Sequence, residues 1–103
     1  MNNEPKTQEA TAAVLEPEGD LVAARLPALR SKLQGMLGAG VVHLTLDLDG
    51  TKMVDSAGIG LLISAHNSLK RAGGELTLIH VSKDILNLFR TMRIHQHFSV
   101  SGE

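Results

Sequence analysis

The chain has 103 residues, enough for one domain with one hydrophobic core. Its 10 Lys and Arg nearly balance 11 Asp and Glu, and Phe89 and Phe98 are its two aromatic residues. Nucleic-acid partners need basic patches or exposed aromatic rings, so we expect none. The absence of cysteine excludes disulfides, thiolate metal sites and cysteine nucleophiles.

The hydropathy pattern indicates a soluble cytoplasmic protein with no membrane span. No apolar run reaches the length that crosses a bilayer, and residues 1–6 lack the apolar stretch of a signal peptide. Residues 1–11 are polar and without periodicity, which predicts a mobile N-terminal tail. A single domain is then expected over residues 12–103.

The first half of that domain begins with a short strand. Residues 12–16 predict this strand, Pro17–Asp20 a turn, and residues 21–23 a continuation of the strand beyond the turn. From about Ala24, leucine and methionine recur every three or four residues, which predicts a helix that ends at Gly38–Gly40.

The second half repeats the alternation of strand and helix. Apolar and polar residues alternate over Val42–Leu48, which predicts a strand with one apolar face. A second helix then runs to Gly73–Gly74, and Glu75–Val81 predicts a further strand. Ser82 is the predicted N-cap of a third helix, and Ile94–Val100 a last short strand.

This order of elements predicts an α/β fold. Strands that alternate with helices are joined by crossover connections, which produce parallel pairing. We expect a mixed, largely parallel sheet of four to five strands, with three or more helices mainly on the one face that the alternating strand makes apolar.

Catalytic and metal-binding patterns are weak. His95 and His97 could chelate a metal from one face of a strand, but an exposed strand end is the simpler interpretation. His66 lies on the apolar stripe of the second helix and is interpreted as a packing residue. Gly58–Gly60 lacks the third glycine of a dinucleotide fingerprint and the lysine of a phosphate loop. We predict no enzymatic activity, no metal site and no cofactor.

The most informative segment is Asp55–Gly60, which reads Asp-Ser-Ala-Gly-Ile-Gly and enters the second helix. Asp55 or Ser56 can cap that helix, and the local pattern favours capping for the serine as well. Alternatively, Ser56 is a phosphate acceptor: the helix N-terminus tolerates added negative charge, although Asp55 opposes it. Gly58 and Gly60 leave room for another protein surface.

From Ala13 to Val100 the chain resembles a STAS domain of the bacterial anti-sigma factor antagonist type. The strongest matches are Val41–Leu48 and Met53–Leu62, where an apolar strand ending in Asp-Leu is followed by Asp-Ser-x-Gly-Ile-Gly. Gly73–Leu76 and Ile85–Phe89 also match. The resemblance implies a STAS-like fold and a binding module rather than an enzyme.

The resemblance also implies partners. Ser56 would be phosphorylated by a GHKL-type serine kinase that is also the anti-sigma factor, and a PP2C-type phosphatase would reset it. The unphosphorylated form would bind the kinase and free the sigma factor. ATP and magnesium would belong to the kinase, and this chain would act as a monomer or weak dimer. The implied partner-binding residues are Asp20, Asp55, Ser56, Ala57, Gly58, Ile59 and Gly60.

Two positions depart from the family pattern. Ala57 stands where Ser or Thr is usual, and Val22 replaces the Asp of an earlier Gly-x-Leu-Asp segment. The alternative function is therefore a STAS scaffold subunit, without phosphorylation, in a lipid-transport, stress-sensing or secretion-control complex. A third hypothesis, an enzyme with Ser56 as nucleophile, lacks a base or an oxyanion arrangement that can be identified in the sequence, and Val54 replaces the first glycine of a nucleophile elbow.

Overall fold

A computed structural model describes residues 11–94 and 99–102 of the chain. The predicted mobile tail lies outside the described residues except for Thr11, whose carbonyl oxygen accepts hydrogen bonds from the N–H groups of Val42 and His43 at 2.9 and 2.8 Å. The pair His95 and His97 also lies outside the described residues.

Within the described residues, four strands alternate with three α-helices. In chain order the elements are β1 (Ala12–Leu15), α1 (Leu26–Gly38), β2 (His43–Asp47), α2 (Ser56–Arg71), β3 (Glu75–Val81), α3 (Lys83–Thr91) and β4 (Ser99–Gly102). A short 3₁₀ turn, Ala23–Arg25, leads into α1. None of the helices in the described ranges is both long and apolar enough to cross a membrane.

The predicted fold class is confirmed. The sheet order is β1-β2-β3-β4, and each neighbouring pair of described strands is parallel. Right-handed crossovers that always step to the next strand in the same direction place their helices on the same face of the sheet. The register aligns Leu15, Leu46 and Leu78 across the three strands β1, β2 and β3.

The core lies between this face and the helices. Leu44, Leu46 and Leu48 are buried, whereas the alternating His43 and Thr45 are exposed and half-buried, respectively. The fully buried side chains come from strands and helices alike: Phe89, Leu21, Leu46, Leu48, Leu62, Leu69, Leu76, Leu78 and Val81.

All three helices end in a left-handed residue, and two of these residues are glycines. Gly40 has φ +99° and Gly73 has φ +90°, conformations that glycine adopts without strain. Arg93 takes the same role after α3 with φ 60°, and the N–H of Ile94 then donates to the Phe89 carbonyl at 3.0 Å. The predicted start of the last strand at Ile94 is therefore wrong, because this residue closes the helix.

The predicted strand over residues 21–23 is also wrong beyond its first residue. Leu21 forms an isolated parallel bridge with Val54, and Ala23–Arg25 then turns into the 3₁₀ conformation. The predicted cap of α3 is confirmed, because the Ser82 hydroxyl accepts a hydrogen bond from the Ile85 N–H at 3.3 Å.

Candidate functional site

The start of α2 is held against the segment around Leu21. The Leu21 N–H donates to the Met53 carbonyl at 2.9 Å, and the Asp55 N–H donates to the Leu21 carbonyl at 3.1 Å. Gly58 sits directly over Leu21, and a Cβ atom on Gly58 would overlap the Leu21 carbonyl oxygen. This glycine is therefore required by the chain's own packing, and it fixes where the helix begins.

Asp55 is the N-cap of α2. Its Oδ1 accepts a hydrogen bond from the Gly58 N–H at 2.8 Å, and its Oδ2 accepts from the Ala23 N–H at 3.1 Å. The hydrogen bond from Gly58, then that from Ala23, lowers the pKa of the Asp55 carboxyl from its ordinary value of 3.8. The residue is therefore a charged cap that binds two N–H groups at once.

Ser56 is the first residue of α2 and is exposed. Its hydroxyl has no hydrogen-bond partner among residues 11–94 and 99–102. Because Asp55 caps the helix, the capping interpretation of Ser56 is wrong. Ser56 is therefore an exposed residue at the start of α2 whose side chain takes no part in capping the helix.

The loop before the helix is pinned by Asp20. Its Oδ1 accepts hydrogen bonds from the N–H groups of Lys52 and Met53 at 2.9 and 3.1 Å. Beside it, the hydroxyl of Thr51, a residue that is 2% exposed, donates to the Gly19 carbonyl at 2.7 Å. These bonds link residues more than 30 positions apart in the sequence, and they tie residues 51–53 to Gly19 and Asp20.

Comparison with known families identifies the domain. The family model described as "Mlab, STAS domain" matches residues 6–100. The chain belongs to the STAS domain family. The resemblance drawn from the sequence is thereby confirmed at the level of the domain, and the match covers most of the chain.

Two solved structures share the STAS fold with this chain. One is a protein assigned as an anti-sigma factor antagonist from Thermotoga maritima, with 15% identity and a TM-score of 0.84, over 90% of this chain and 80% of that one. The other is the anti-sigma factor antagonist SpoIIAA in its unphosphorylated form, with 18% identity and a TM-score of 0.70, over 91% and 81% of the two chains. At such identities the likeness establishes the fold.

The seven residues predicted to bind a partner in this STAS domain gather at one end of the sheet but differ in exposure. Ser56, Ala57 and Gly60 are exposed, whereas Gly58 is buried and Ile59 is 5% exposed. Asp20 and Asp55 are half-buried, so the exposed part of this set is Ser56, Ala57 and Gly60. Partner binding by this set stays a prediction.

Val22, the second departure from the STAS pattern, lies at the N-cap position of the 3₁₀ turn. Its side chain makes no capping hydrogen bond. The Ala23 N–H, the first of the turn, donates to Asp55 Oδ2 at the start of α2. A carboxylate 32 residues away in the chain thus binds the first N–H group of the turn.

Met53 is an exposed apolar residue near Ser56 that the sequence analysis did not single out. Its side chain is 58% exposed, three positions before Ser56, while the adjacent Val54 is 7% exposed. Both residues are apolar and neither lies in a long periodic segment, so the sequence does not indicate which one points outward. The bridge between Val54 and Leu21 decides it, because it turns Val54 toward the core.

Proposed function

We propose that this STAS domain is a binding module of the anti-sigma factor antagonist type, switched by reversible phosphorylation of Ser56. The observation that carries the proposal is the exposed Ser56 hydroxyl, held at the first position of α2 and unpartnered within the described residues. The partner is a GHKL-type serine kinase that also serves as the anti-sigma factor. The unphosphorylated form of this STAS domain binds that kinase and displaces the sigma factor from it.

This chain contributes only the Ser56 hydroxyl to the phosphorylation reaction, and that hydroxyl must reach the active site of the kinase. Its Oγ attacks the γ-phosphorus of ATP, an Oγ–P bond forms, and the bond to the β–γ bridging oxygen breaks so that ADP leaves with the electron pair. The hydroxyl proton passes to a base of the kinase. A PP2C-type phosphatase reverses the step: water attacks phosphorus, the Oγ–P bond breaks, and Ser56 regains a proton as inorganic phosphate leaves.

The new charge acts on the partner rather than on the fold. A phosphoserine carries roughly −1.5 to −2 charge at pH 7, which a helix N-terminus accommodates. Asp55 keeps its two backbone hydrogen bonds, so the helix start retains its cap. An acidic surface or a bound nucleotide on the kinase is repelled, and about 1.4 kcal/mol of repulsion already weakens binding tenfold.

The test is phosphorylation by the GHKL-type serine kinase encoded beside this gene, with magnesium and ATP, followed by mapping of the modified residue. We expect one phosphate, on Ser56, and none in Ser56→Ala. Ser64→Ala is the matched control, because Ser64 is an exposed serine of the same helix. A kinase that is active and binds this protein, yet leaves Ser56 unmodified, contradicts the proposal.

A constitutive scaffold subunit is the second candidate. It is favoured by Val22, which brings no carboxylate to the segment that the family uses in kinase docking. This candidate predicts a stable complex with a non-kinase subunit of a transport, stress-sensing or secretion-control assembly. Binding to that subunit that is unchanged by Ser56→Asp would favour the scaffold over the switch.

A further inference from the structure

We infer that a cavity between α1 and α2 is a binding site for a short aliphatic carboxylate, whose anionic group is held by Arg30. The cavity is separate from the start of α2. Its polar residues on that helix, Ser64 and Ser68, lie about 12 and 18 Å along the helix axis from Ser56. The inference therefore does not depend on the phosphorylation of Ser56.

The interior of the cavity is apolar. Its volume is about 100 Å³, and three of the residues that line it, Leu44, Leu61 and Leu69, are each no more than 3% exposed. An engineered apolar cavity of about 150 Å³ binds benzene, which has six carbons, so the present cavity has room for about four carbons. An aliphatic chain of that length leaves water on entering it, which favours binding.

The mouth of the cavity is polar. Arg30, Gln34 and Ser64 are its exposed lining residues, and all three carry hydrogen-bond donors. Arg30 is the only charged residue of the lining, and within residues 11–94 and 99–102 its guanidinium makes no ion pair and no hydrogen bond. A guanidinium binds a carboxylate through two parallel hydrogen bonds. A single cation at the mouth thus matches a ligand with a single negative charge.

The charges of the two helices also select an anion. The charged residues of α1 and α2 are all basic and all exposed: Arg30, Lys32, Lys70 and Arg71. The whole chain has a formal net charge of −1, so its acidic residues lie outside these two helices. A surface of one charge attracts ligands of the opposite charge and repels those of the same charge. An aliphatic amine of the same size is therefore disfavoured.

The α1 wall of the cavity is the less stabilised one. Of the three helices in the described ranges, α1 alone has neither a side-chain N-cap nor a basic residue in its last turn. It also contains Gly35 and Gly38, and glycine inside a helix is destabilising relative to alanine. The half-buried Met36 and Leu37 line the cavity from this part of α1. A bound aliphatic chain adds contacts to these two side chains, so the ligand should stabilise α1.

The experiment titrates the protein with pentanoate and follows its backbone amides by NMR. Pentanoate places a butyl chain in the cavity and its carboxylate at the mouth. Pentanamide has the same chain without the charge, and acetate has the same charge with only a methyl group. Hydrogen exchange of the α1 amides, with and without pentanoate, measures the stabilisation of this helix.

Three variants test the two halves of the site. Arg30→Gln removes the charge at the mouth, and Lys32→Gln is the matched control, because Lys32 is an exposed cation of the same helix that does not line the cavity. Ala65→Leu fills the cavity from α2, where Ala65 is 8% exposed. Thermal unfolding shows which variants retain the fold. Arg30 is exposed, so Arg30→Gln tests the site even if Ala65→Leu does not fold.

We expect pentanoate to cause saturable shifts around the cavity and slower exchange in α1. Arg30→Gln and the change to pentanamide should each weaken binding about threefold, the effect of an exposed ion pair. Acetate should bind at least about tenfold more weakly, because it lacks the buried methylenes. Folded Ala65→Leu should not bind, and Lys32→Gln should bind like the wild type.

Shifts that do not saturate overturn the inference, as does equal binding of pentanoate and acetate. Equal binding of pentanoate and pentanamide, or equal losses in Arg30→Gln and Lys32→Gln, also overturns it, because the carboxylate would then not be recognised by Arg30. None of these results bears on phosphorylation of Ser56, so the proposed function is tested independently.

Discussion

Asp55 Oδ2 accepts a hydrogen bond from the Ala23 N–H at 3.1 Å, although the two residues are 32 positions apart. The other oxygen of the same carboxylate caps α2 through the Gly58 N–H at 2.8 Å. One side chain thus joins the turn before α1 to the start of α2. Ser56 follows directly, so its position depends on both segments.

The Asp55 carboxylate should make stability depend on acid pH. Its pKa is lowered in the folded protein, first by the Gly58 N–H, so the ionised form is favoured by folding. The stability that ionised Asp55 contributes is fully present well above pH 3.8, the ordinary pKa of the carboxyl. It is lost as the pH falls from 3.8 through the lower pKa of the folded protein. We expect Asp55→Asn to lower the melting temperature by a few degrees at pH 7 and by progressively less as the pH falls through that window.

Ser82→Ala provides the control for this titration. It removes a neutral cap, the hydrogen bond to the Ile85 N–H, at a cost of about 0.5–2 kcal/mol that does not titrate. Thermal unfolding of both variants and the wild type between neutral and strongly acid pH separates the two effects. A constant difference between the wild type and Asp55→Asn over the whole range would contradict a charged cap.

The two glycines of the site should respond in opposite directions to the same substitution. Gly58→Ala places a methyl group against the Leu21 carbonyl, and we expect a loss of about 1–3 kcal/mol in the free energy of unfolding. Gly60→Ala adds a methyl group in open space, and we expect a gain of about 0.5–1 kcal/mol. Urea unfolding of the two variants measures both, and a stable Gly58→Ala would mean that the helix start can shift without cost.

Asp20 should control the loop that carries Met53. In Asp20→Ala the N–H groups of Lys52 and Met53 lose their acceptor, so we expect faster hydrogen exchange at these two amides. Asp20→Asn retains a side-chain oxygen and should exchange close to the wild-type rate. NMR measures the hydrogen-exchange rates of the Lys52 and Met53 amides individually. Unchanged protection of these amides in Asp20→Ala would show that other contacts hold the loop.

The strands and helices could be predicted because their periodic patterns are long. The strand predicted over Glu75–Val81 is observed with the same limits, and the helix that ends at Gly38–Gly40 has the predicted stop. In each case a repeated apolar spacing or a terminal glycine fixes the element locally. The domain family could also be inferred, because its motif lies between these patterns.

The site could be predicted only in part, because its geometry depends on contacts distant in sequence. Asp55 and Ser56 are both able to cap a helix, and the choice between them is set by the direction of the chain after its bridge to Leu21. The same bridge buries Val54 and exposes Met53. No local pattern around residues 53–56 contains that information.

A negative charge at Ser56 should alter binding without weakening the fold. An acidic residue in the first helical turn is favourable by about 0.3–1 kcal/mol, and the neighbouring Asp55 offsets part of this. We therefore expect Ser56→Asp to melt within a few degrees of the wild type while its affinity for the kinase falls at least tenfold. Ser56→Ala should bind the kinase with or without ATP, because it cannot be modified.

Ser64→Asp tests whether any charge on this helix has the same effect. Ser64 is exposed in the interior of α2, where the dipole of the helix terminus is weak. Ser64→Asp adds the same charge two helical turns from Ser56. If the switch depends on position, Ser64→Asp should lose clearly less kinase affinity than Ser56→Asp. Calorimetric titration of the kinase with each variant compares them directly. A large drop in the melting temperature of Ser56→Asp would instead assign this serine a structural role, since the exposed hydroxyl leaves the added carboxylate free to extend into solvent.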